Sequence, residues 1–278
     1  MKSLFLKISE KCSKLTTKNY STSFSLGIQL LEKRFQQPIY NIYGFVRFAD
    51  EIVDSFHNHN QQELLDNFKK DCFQSIKQKI SLNPILHSFQ STVNQYNIDH
   101  QLIDKFLDSM YMDLEKHNFN QKKYKQYIIG SAEVVGLMCL KVFVDGDNQR
   151  YQDLTSFACS LGSAFQKVNF LRDLASDYNE LGRIYFPNIN FQSFNKENKN
   201  LIEKDINQDF KNALIGIKKL PKNSRLGVYI AYTYYLKLLD KITRLSADKI
   251  KNKRVRINNF HKFQLMTQAI IKNKLGLI

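Results

Sequence analysis

Apolar residues recur at steps of three and four along most of the chain, the period of helices and not of strands. From Pro38, whose fixed φ suits a first helical position, the positions Ile39, Ile42, Tyr43, Phe45, Val46, Ala49, Ile52, Val53 and Phe56 predict a mostly buried helix of about twenty residues. The polar run His57-Asn-His-Asn-Gln-Gln62 ends it. Asn83-Pro84 and Asn97-Ile-Asp99 punctuate two further helices. Residues 101–116 repeat the pattern through Leu102, Ile103, Phe106, Leu107, Met110 and Leu114, and a more uniformly apolar run covers Tyr127 to Val144. Gly146, between Asp145 and Asp147, reads as a turn. Residues 151–178 predict another long helix, stopped by Leu181-Gly-Arg-Ile-Tyr-Phe-Pro187. The Asn-rich stretch 188–200 reads as a loop, and helices resume over 201–219, 222–246 and 258–274. With no internal repeat and no low-complexity linker, the expectation is one all-α domain over 1–278, of roughly ten helices.

Composition narrows the function. Of 278 residues 43% are hydrophobic, which excludes wholesale disorder. Four prolines are too few for a loop-rich sandwich, and neither G-x-G-x-x-G nor G-x-x-x-x-G-K-S/T occurs, which argues against dinucleotide and P-loop folds. Cys12, Cys72, Cys139 and Cys159 have no C-x-x-C spacing and no paired histidines, so a zinc site is not expected. The first ten residues lack a continuous apolar segment, and no window reaches the ~18 apolar residues of a spanning helix. A cytoplasmic protein is predicted, with attachment to the inner face of a membrane as an option.

Lys and Arg number 41 against 26 acids, a formal charge of +15. The excess is uneven: residues 1–34 carry a net +5 and residues 200–278 a net +12, which leaves about −2 between them. On charge alone a basic helical protein reads as a nucleic-acid binder. That reading has no use for acids inside apolar helices, and nucleic acid is not the expected partner.

Those acids form two stripes. Asp50 and Asp54 lie one turn apart on one face of their helix, with Arg47 and Tyr43 on the turns before them and Glu51 beside them. Gln166, Asn169, Asp173 and Asp177, at steps of three, four and four, share a second stripe flanked by Arg172. Every member of the second stripe offers oxygen, which suits Mg²⁺: it prefers hard oxygen ligands, keeps waters and is shared with substrate phosphates.

The spacing also carries a family resemblance. Ser21-Thr-Ser-Phe24, Tyr43-x-x-x-Arg47-x-x-Asp50-Glu51-x-x-Asp54, Leu161-Gly-x-Ala-x-Gln166-x-x-Asn169-x-x-Arg172-Asp173-x-x-x-Asp177 and Gly182-Arg-Ile-Tyr-Phe-Pro187 together resemble the squalene/phytoene synthase family. The run Tyr127 to Val144 is similar to that family's central buried helix, particularly in bacterial phytoene synthases. Tyr235-x-x-x-Leu-Asp240 and Lys253-Arg-Val-Arg256 resemble its C-terminal blocks.

The resemblance implies an isoprenoid synthase fold, a single helical domain around a central cavity. It implies a Mg²⁺-dependent prenyltransferase of carotenoid biosynthesis, joining two geranylgeranyl diphosphates head to head through prephytoene diphosphate to phytoene. Dehydrosqualene or squalene synthesis from farnesyl diphosphate, the latter with NADPH, is the alternative. Carried over by position, Asp50, Asp54, Asn169, Asp173 and Asp177 would hold two or three Mg²⁺ ions bridged by diphosphate. Ser21, Ser23, Tyr43, Arg47, Gln166, Arg172, Arg183 and Tyr235 would contact substrate, and Arg183 serves equally as a helix cap. Asp50, Asp54, Asp173, Asp177, Tyr43 and Tyr235 would carry the chemistry. Three positions depart from the pattern: Thr22 where some relatives have Lys, Glu51 for the second Asp of a pair, and Glu133 where many have Gly. The basic cluster Lys249, Lys251, Lys253, Arg254, Arg256 and Lys262, before an amphipathic segment Phe260–Ile271, suggests peripheral membrane contact. A monomer or weak dimer is expected.

Overall fold

Side-chain caps set where most helices begin. In the computed structural model, which describes residues 3–278 except 116–118, 180–181, 188, 190 and 253 and only the backbone of Asn259, Ser3 caps α1 (Leu4–Tyr20) and Ser21 caps α2 (Thr22–Gln29). Asn60, Asn83 and Asp99 cap α4 (Gln61–Gln78), α5 (Pro84–Tyr96) and α6 (His100–Leu114). Asn120 caps α7 (Gln121–Ile128), which runs through a π-helical turn at Ile129–Glu133 into α8 (Val134–Phe143). Gly146, at φ +87°, turns the chain into α9 (Asn148–Asn179). After it come α10 (Lys196–Lys219), α11 (Lys222–Thr243), α12 (Ala247–Asn252) and α13 (Asn259–Lys274).

Three boundaries differ from the sequence expectation. Pro38 is not a first residue: α3 spans Lys33–Ser55, with Pro38 in its second turn. The turn before it is held by fully buried Phe35 and by the Gln36 amide, which donates to the carbonyls of Gln29 and Leu31. The supposed loop 188–200 contains the start of α10, because Asn195 accepts from the Asn198 backbone N–H while the Asn198 side chain returns the bond. The helix expected over 222–246 ends at Thr243, and α12 follows it.

The helices α7 and α8 with their π turn form one 23-residue element, Gln121–Phe143, that by length and apolar composition could cross a membrane, correcting the expectation of no such window. It is packed among α3, α6 and α9, and Val134, Met138 and Val142 are buried there, as in the core helix of a globular fold. Two apolar clusters flank it. One gathers α3 to α6 around Phe45, whose ring stacks on Phe89 at 3.9 Å and meets Phe68 and Phe106. The other joins α9, α10 and α11 through Phe170, Tyr185, Phe210 and Leu239. Leu137 and Phe143 touch both clusters, and the cavity lies between them.

Candidate active site

Helices α3 and α9 both line a cavity of about 610 Å³. From α3 come Ile39, Ile42, Tyr43, Val46, Arg47, Asp50 and Asp54; from α9, Leu154, Phe157, Leu161, Phe165, Gln166, Asn169, Arg172, Asp173 and Asp177. Steps of three and four keep each set on one face, so polarity is graded along it: carboxylates at one end, aliphatic and aromatic side chains at the other. The two acid stripes come close enough for the Asp54 charge to act on Asp177.

The charge at the polar end is incompletely paired. Arg47 is engaged by Glu51 and lies over the Tyr20 ring at 4.2 Å, so it does not bridge Asp50 and Asp54. Among the described residues Asp50 has no hydrogen bond or ion pair. Burial and the neighbouring Asp54 charge push its carboxyl up to about 8. Burial and Asp173 raise Asp177 to about 7. The buried Asn169 Oδ1 accepts no hydrogen bond. Asp173 is better served: Arg172 holds it from its own helix, and Arg254 Nε reaches it at 2.7 Å.

Arg183 joins this end to a third acid. Its Nη1 lies 3.4 Å from Asp54 and 3.6 Å from Asp113, and its Nη2 donates to the Asp113 carbonyl at 2.6 Å. Asp113 accepts from Tyr127 Oη at 2.7 Å and Tyr185 Oη at 3.0 Å. Burial raises its carboxyl to about 6, against the opposing pull of Arg183 and the Tyr127 bond. Above the mouth, Phe24 stands between Tyr43 and Tyr235, 5.9 and 5.8 Å from their ring centres. Tyr235 also stacks on Phe165 at 4.0 Å. Burial raises Tyr43 to about 12, keeping its hydroxyl neutral.

The described residues contain no group of three His, Cys, Asp or Glu side chains close enough to hold a metal alone. The uncompensated Asp50, Asp177 and Asn169 oxygens nonetheless fit a hard divalent cation whose remaining ligands are water and diphosphate.

The family model of squalene/phytoene synthase matches residues 17–261, which contain both acid stripes. The chain belongs to the squalene/phytoene synthase family. It is a prenyltransferase-type enzyme by that membership. A phytoene synthase of Arthrospira platensis is 25% identical, with 96% of this chain and 93% of that protein aligned. A 4,4'-diapophytoene synthase of Staphylococcus haemolyticus is 26% identical over 68% of this chain and 65% of its own. The crystal structure of a dehydrosqualene synthase in complex with ligand superposes with a TM-score of 0.81 at 21% identity, covering 97% of this chain and 98% of the other. It is thus an isoprenoid-synthase-type all-α fold.

Of the residues proposed from sequence for this squalene/phytoene synthase family member, Ser21, Tyr43, Arg47, Asp50, Asp54, Gln166, Asn169, Arg172, Asp173, Asp177 and Tyr235 line the cavity. Ser23 and Arg183 do not; Ser23 sits in the first turn of α2, and Arg183 reaches the site by its bonds to Asp54 and Asp113. Glu133 also stays out of the lumen, beside Cys159, and the wall there is Ala132 and Gly136. Leu181, which opens the string that stops α9, and Lys253, in a C-terminal block, lie outside the described residues.

Sequence reasoning missed Asp113, Tyr127, Tyr185 and Arg254. Asp113 did leave a signal: it follows Met110 by three on the apolar face of α6, where an acid demands an explanation. Arg254 was grouped with a basic membrane patch. That patch is not one surface, since Arg254 turns to Asp173, Lys251 lies over the Phe191 ring at 5.9 Å, and Lys262 Nζ donates to Thr22 Oγ1 at 2.5 Å.

Proposed function

We propose that this enzyme, acting as a single domain over 1–278, condenses two geranylgeranyl diphosphates head to head through prephytoene diphosphate to phytoene. The observation that carries the reading is the pair of buried oxygen stripes at one end of an otherwise apolar cavity. Asp50, Asp54, Asn169, Asp173 and Asp177 would hold Mg²⁺ together with the substrate diphosphate, and the bound ion would supply Lewis-acid neutralisation of the leaving group. Arg172, Arg254 and Arg47 bring fixed cations to the same mouth, where planar guanidinium forks suit phosphate oxygens. Arg183, bonded to Asp54 and Asp113, fixes the orientation of the first stripe. No nucleophilic side chain is required, because the attacking group is a carbon–carbon double bond. Phe24, Tyr43, Phe165 and Tyr235 exclude water from the allylic cation and turn π faces towards it. Ser21 steadies Tyr43 from the N-terminus of α2.

The preference for C20 substrate rests on α9 as a ruler. Asn169 and Phe157 are twelve residues apart, an axial rise of ~18 Å at ~1.5 Å per residue. An extended chain advances ~1.2 Å per bond, given ~3.6 Å for three backbone bonds, so a geranylgeranyl main chain reaches ~18 Å and a farnesyl chain ~13 Å. Along α9 the longer chain reaches Phe157, one turn short of Leu154 at the end of the lining, and the shorter one stops near Leu161.

The deciding experiment incubates the protein with each diphosphate and Mg²⁺, with and without NADPH, and identifies the hydrocarbon. Phytoene from the C20 substrate is expected. A C30 product formed at a higher kcat/KM from farnesyl diphosphate would overturn the C20 assignment. In the same reading the enzyme works in the cytoplasm as a monomer or weak dimer, with peripheral contact to a membrane that takes up the hydrocarbon.

A further inference from the structure

The helix α13 is divided lengthwise. Its inner side, from Lys262 through Leu265, Met266, Ala269 and Ile270, packs on α11. Its outer side carries Phe260, Phe263 and Ile271, exposed to 67%, 61% and 51%, and Leu275 just beyond its end is exposed to 67%. With Thr267 these residues follow steps of three and four, so they form one stripe. Large side chains exposed in a row mark a contact surface, whereas isolated ones do not.

Charge selects the partner. After Asp248 the sequence contains no acid, and of the cations there Lys272 and Lys274, both exposed, flank the C-terminal end of the stripe. Pairing with a second copy across a two-fold axis would set this excess against itself. Nucleic acid would meet the charge and leave the phenylalanines in water. An anionic bilayer satisfies both: rings enter the headgroup boundary while ammonium groups stay with lipid phosphates.

The position of the helix is consistent with that partner. Near its start Lys262 is bonded to Thr22, next to Ser21 at the polar mouth. Beyond its other end the Ile278 carbonyl accepts from Arg225, which also bonds the carbonyl of Leu220, a residue lining the apolar part of the cavity. The stripe therefore runs beside the cavity from its polar to its hydrocarbon end. We propose that the outer face of α13, through Phe260, Phe263 and Ile271, seats the enzyme on an anionic membrane and sets the hydrocarbon end of the cavity beside the lipid. The proposal rests on the reading of a hydrocarbon product only for its purpose; the surface is argued from exposure and charge.

Vesicle flotation tests it without any turnover, so failure of the condensation reading leaves the result legible. Phosphatidylcholine vesicles with and without phosphatidylglycerol are compared at low and high salt. The wild type is expected to float at least tenfold better with the anionic lipid, and salt removes the excess. Phe260→Ser with Phe263→Ser abolishes flotation, whereas Lys272→Gln with Lys274→Gln removes the preference for phosphatidylglycerol; both keep the wild-type Tm. Equal flotation of wild type on the two vesicles overturns the proposal, as does undiminished flotation of the Phe variant. So does a wild-type dimer that the Phe variant converts to monomer, because the stripe is then covered by a second copy.

Discussion

Replacing Phe157 with Ala tests the length of the cavity directly. Phe157 lines the lumen at the depth that an extended C20 chain reaches from Asn169. It is tightly seated: a Cβ on Gly216 would fall 2.2 Å from the Phe157 Cβ, so only glycine lets α10 come this close. Outside, Lys219 Nζ lies 5.1 Å from the ring centre. The ring is thus a wall between lumen and surface. Alanine frees about the space of one isoprene unit, whose four bonds advance ~5 Å. The variant should accept a C25 diphosphate that the wild type excludes, with the ratio of kcat/KM for C25 over C20 rising at least ~10-fold, or ~1.4 kcal/mol. That asks of a whole isoprene unit only what one methylene commands in a fitted pocket, ~1–3 kcal/mol. Loss of a half-buried ring costs ~2 kcal/mol of stability, so the assay runs well below the variant's measured Tm. Products are separated by chain length after competition between the two substrates. A ratio within twofold of wild type would show that Phe157 does not bound the chain, and the α9 ruler would fail with it.

Three further outcomes follow from the site. Asp50→Asn and Asp173→Asn should each lower kcat by ~100-fold or more with unchanged circular dichroism; product above ~5% of wild type would contradict their assignment as ligands. In EDTA, stability should fall as pH rises from ~4 to ~8, because Asp113, Asp177 and Asp50, raised to about 6, 7 and 8, stay protonated in the fold while the unfolded chain ionises. Asp50→Asn should flatten this decline above pH ~6, which thermal unfolding across pH reads, and a variant tracking the wild type would refute it. Lys167, only 8% exposed, is bonded to Asp205 and Asp209 at 2.5 and 2.8 Å between α9 and α10. Lys167→Met should cost ~2–3 kcal/mol in urea unfolding, less than a fully buried pair because Asp205 is open to water, and adding Asp209→Leu should recover part of it.

The helices were legible because burial here has one period. Between Pro38 and Phe56, and again through α9, apolar residues fall where a helix against a core needs them, so existence and type followed from spacing alone. Boundaries obeyed local chemistry that spacing does not encode. Asn195 caps a helix and so ends the apparent loop, while Pro38 is tolerated one turn in because Phe35 and Gln36 anchor the turn before it. The apolar run 121–143 shows the limit of composition: the same residues would suit a lipid, and only the helices packed round them distinguish a protein interior.

The site divides along a similar line. Residues that act from one helix face, such as Asp50 with Asp54 or Asn169 with Asp173, announce themselves by their spacing. Residues that act across the fold carry no such mark. Arg254 is 81 positions from the Asp173 it meets, and in sequence it is one more cation in a basic tail. Asp113 is a lone acid whose meaning comes from Tyr127, Tyr185 and Arg183, contributed by two other segments. The net positive charge therefore has at least two uses that composition merges. Arg254 offsets carboxylates at the mouth, while Lys272 and Lys274 of the last helix remain in solvent beside the exposed Ile271. A salt titration separates them: screening weakens the exposed lysines within a Debye length of ~8–10 Å, while the partly buried Arg172–Asp173–Arg254 group is screened far less.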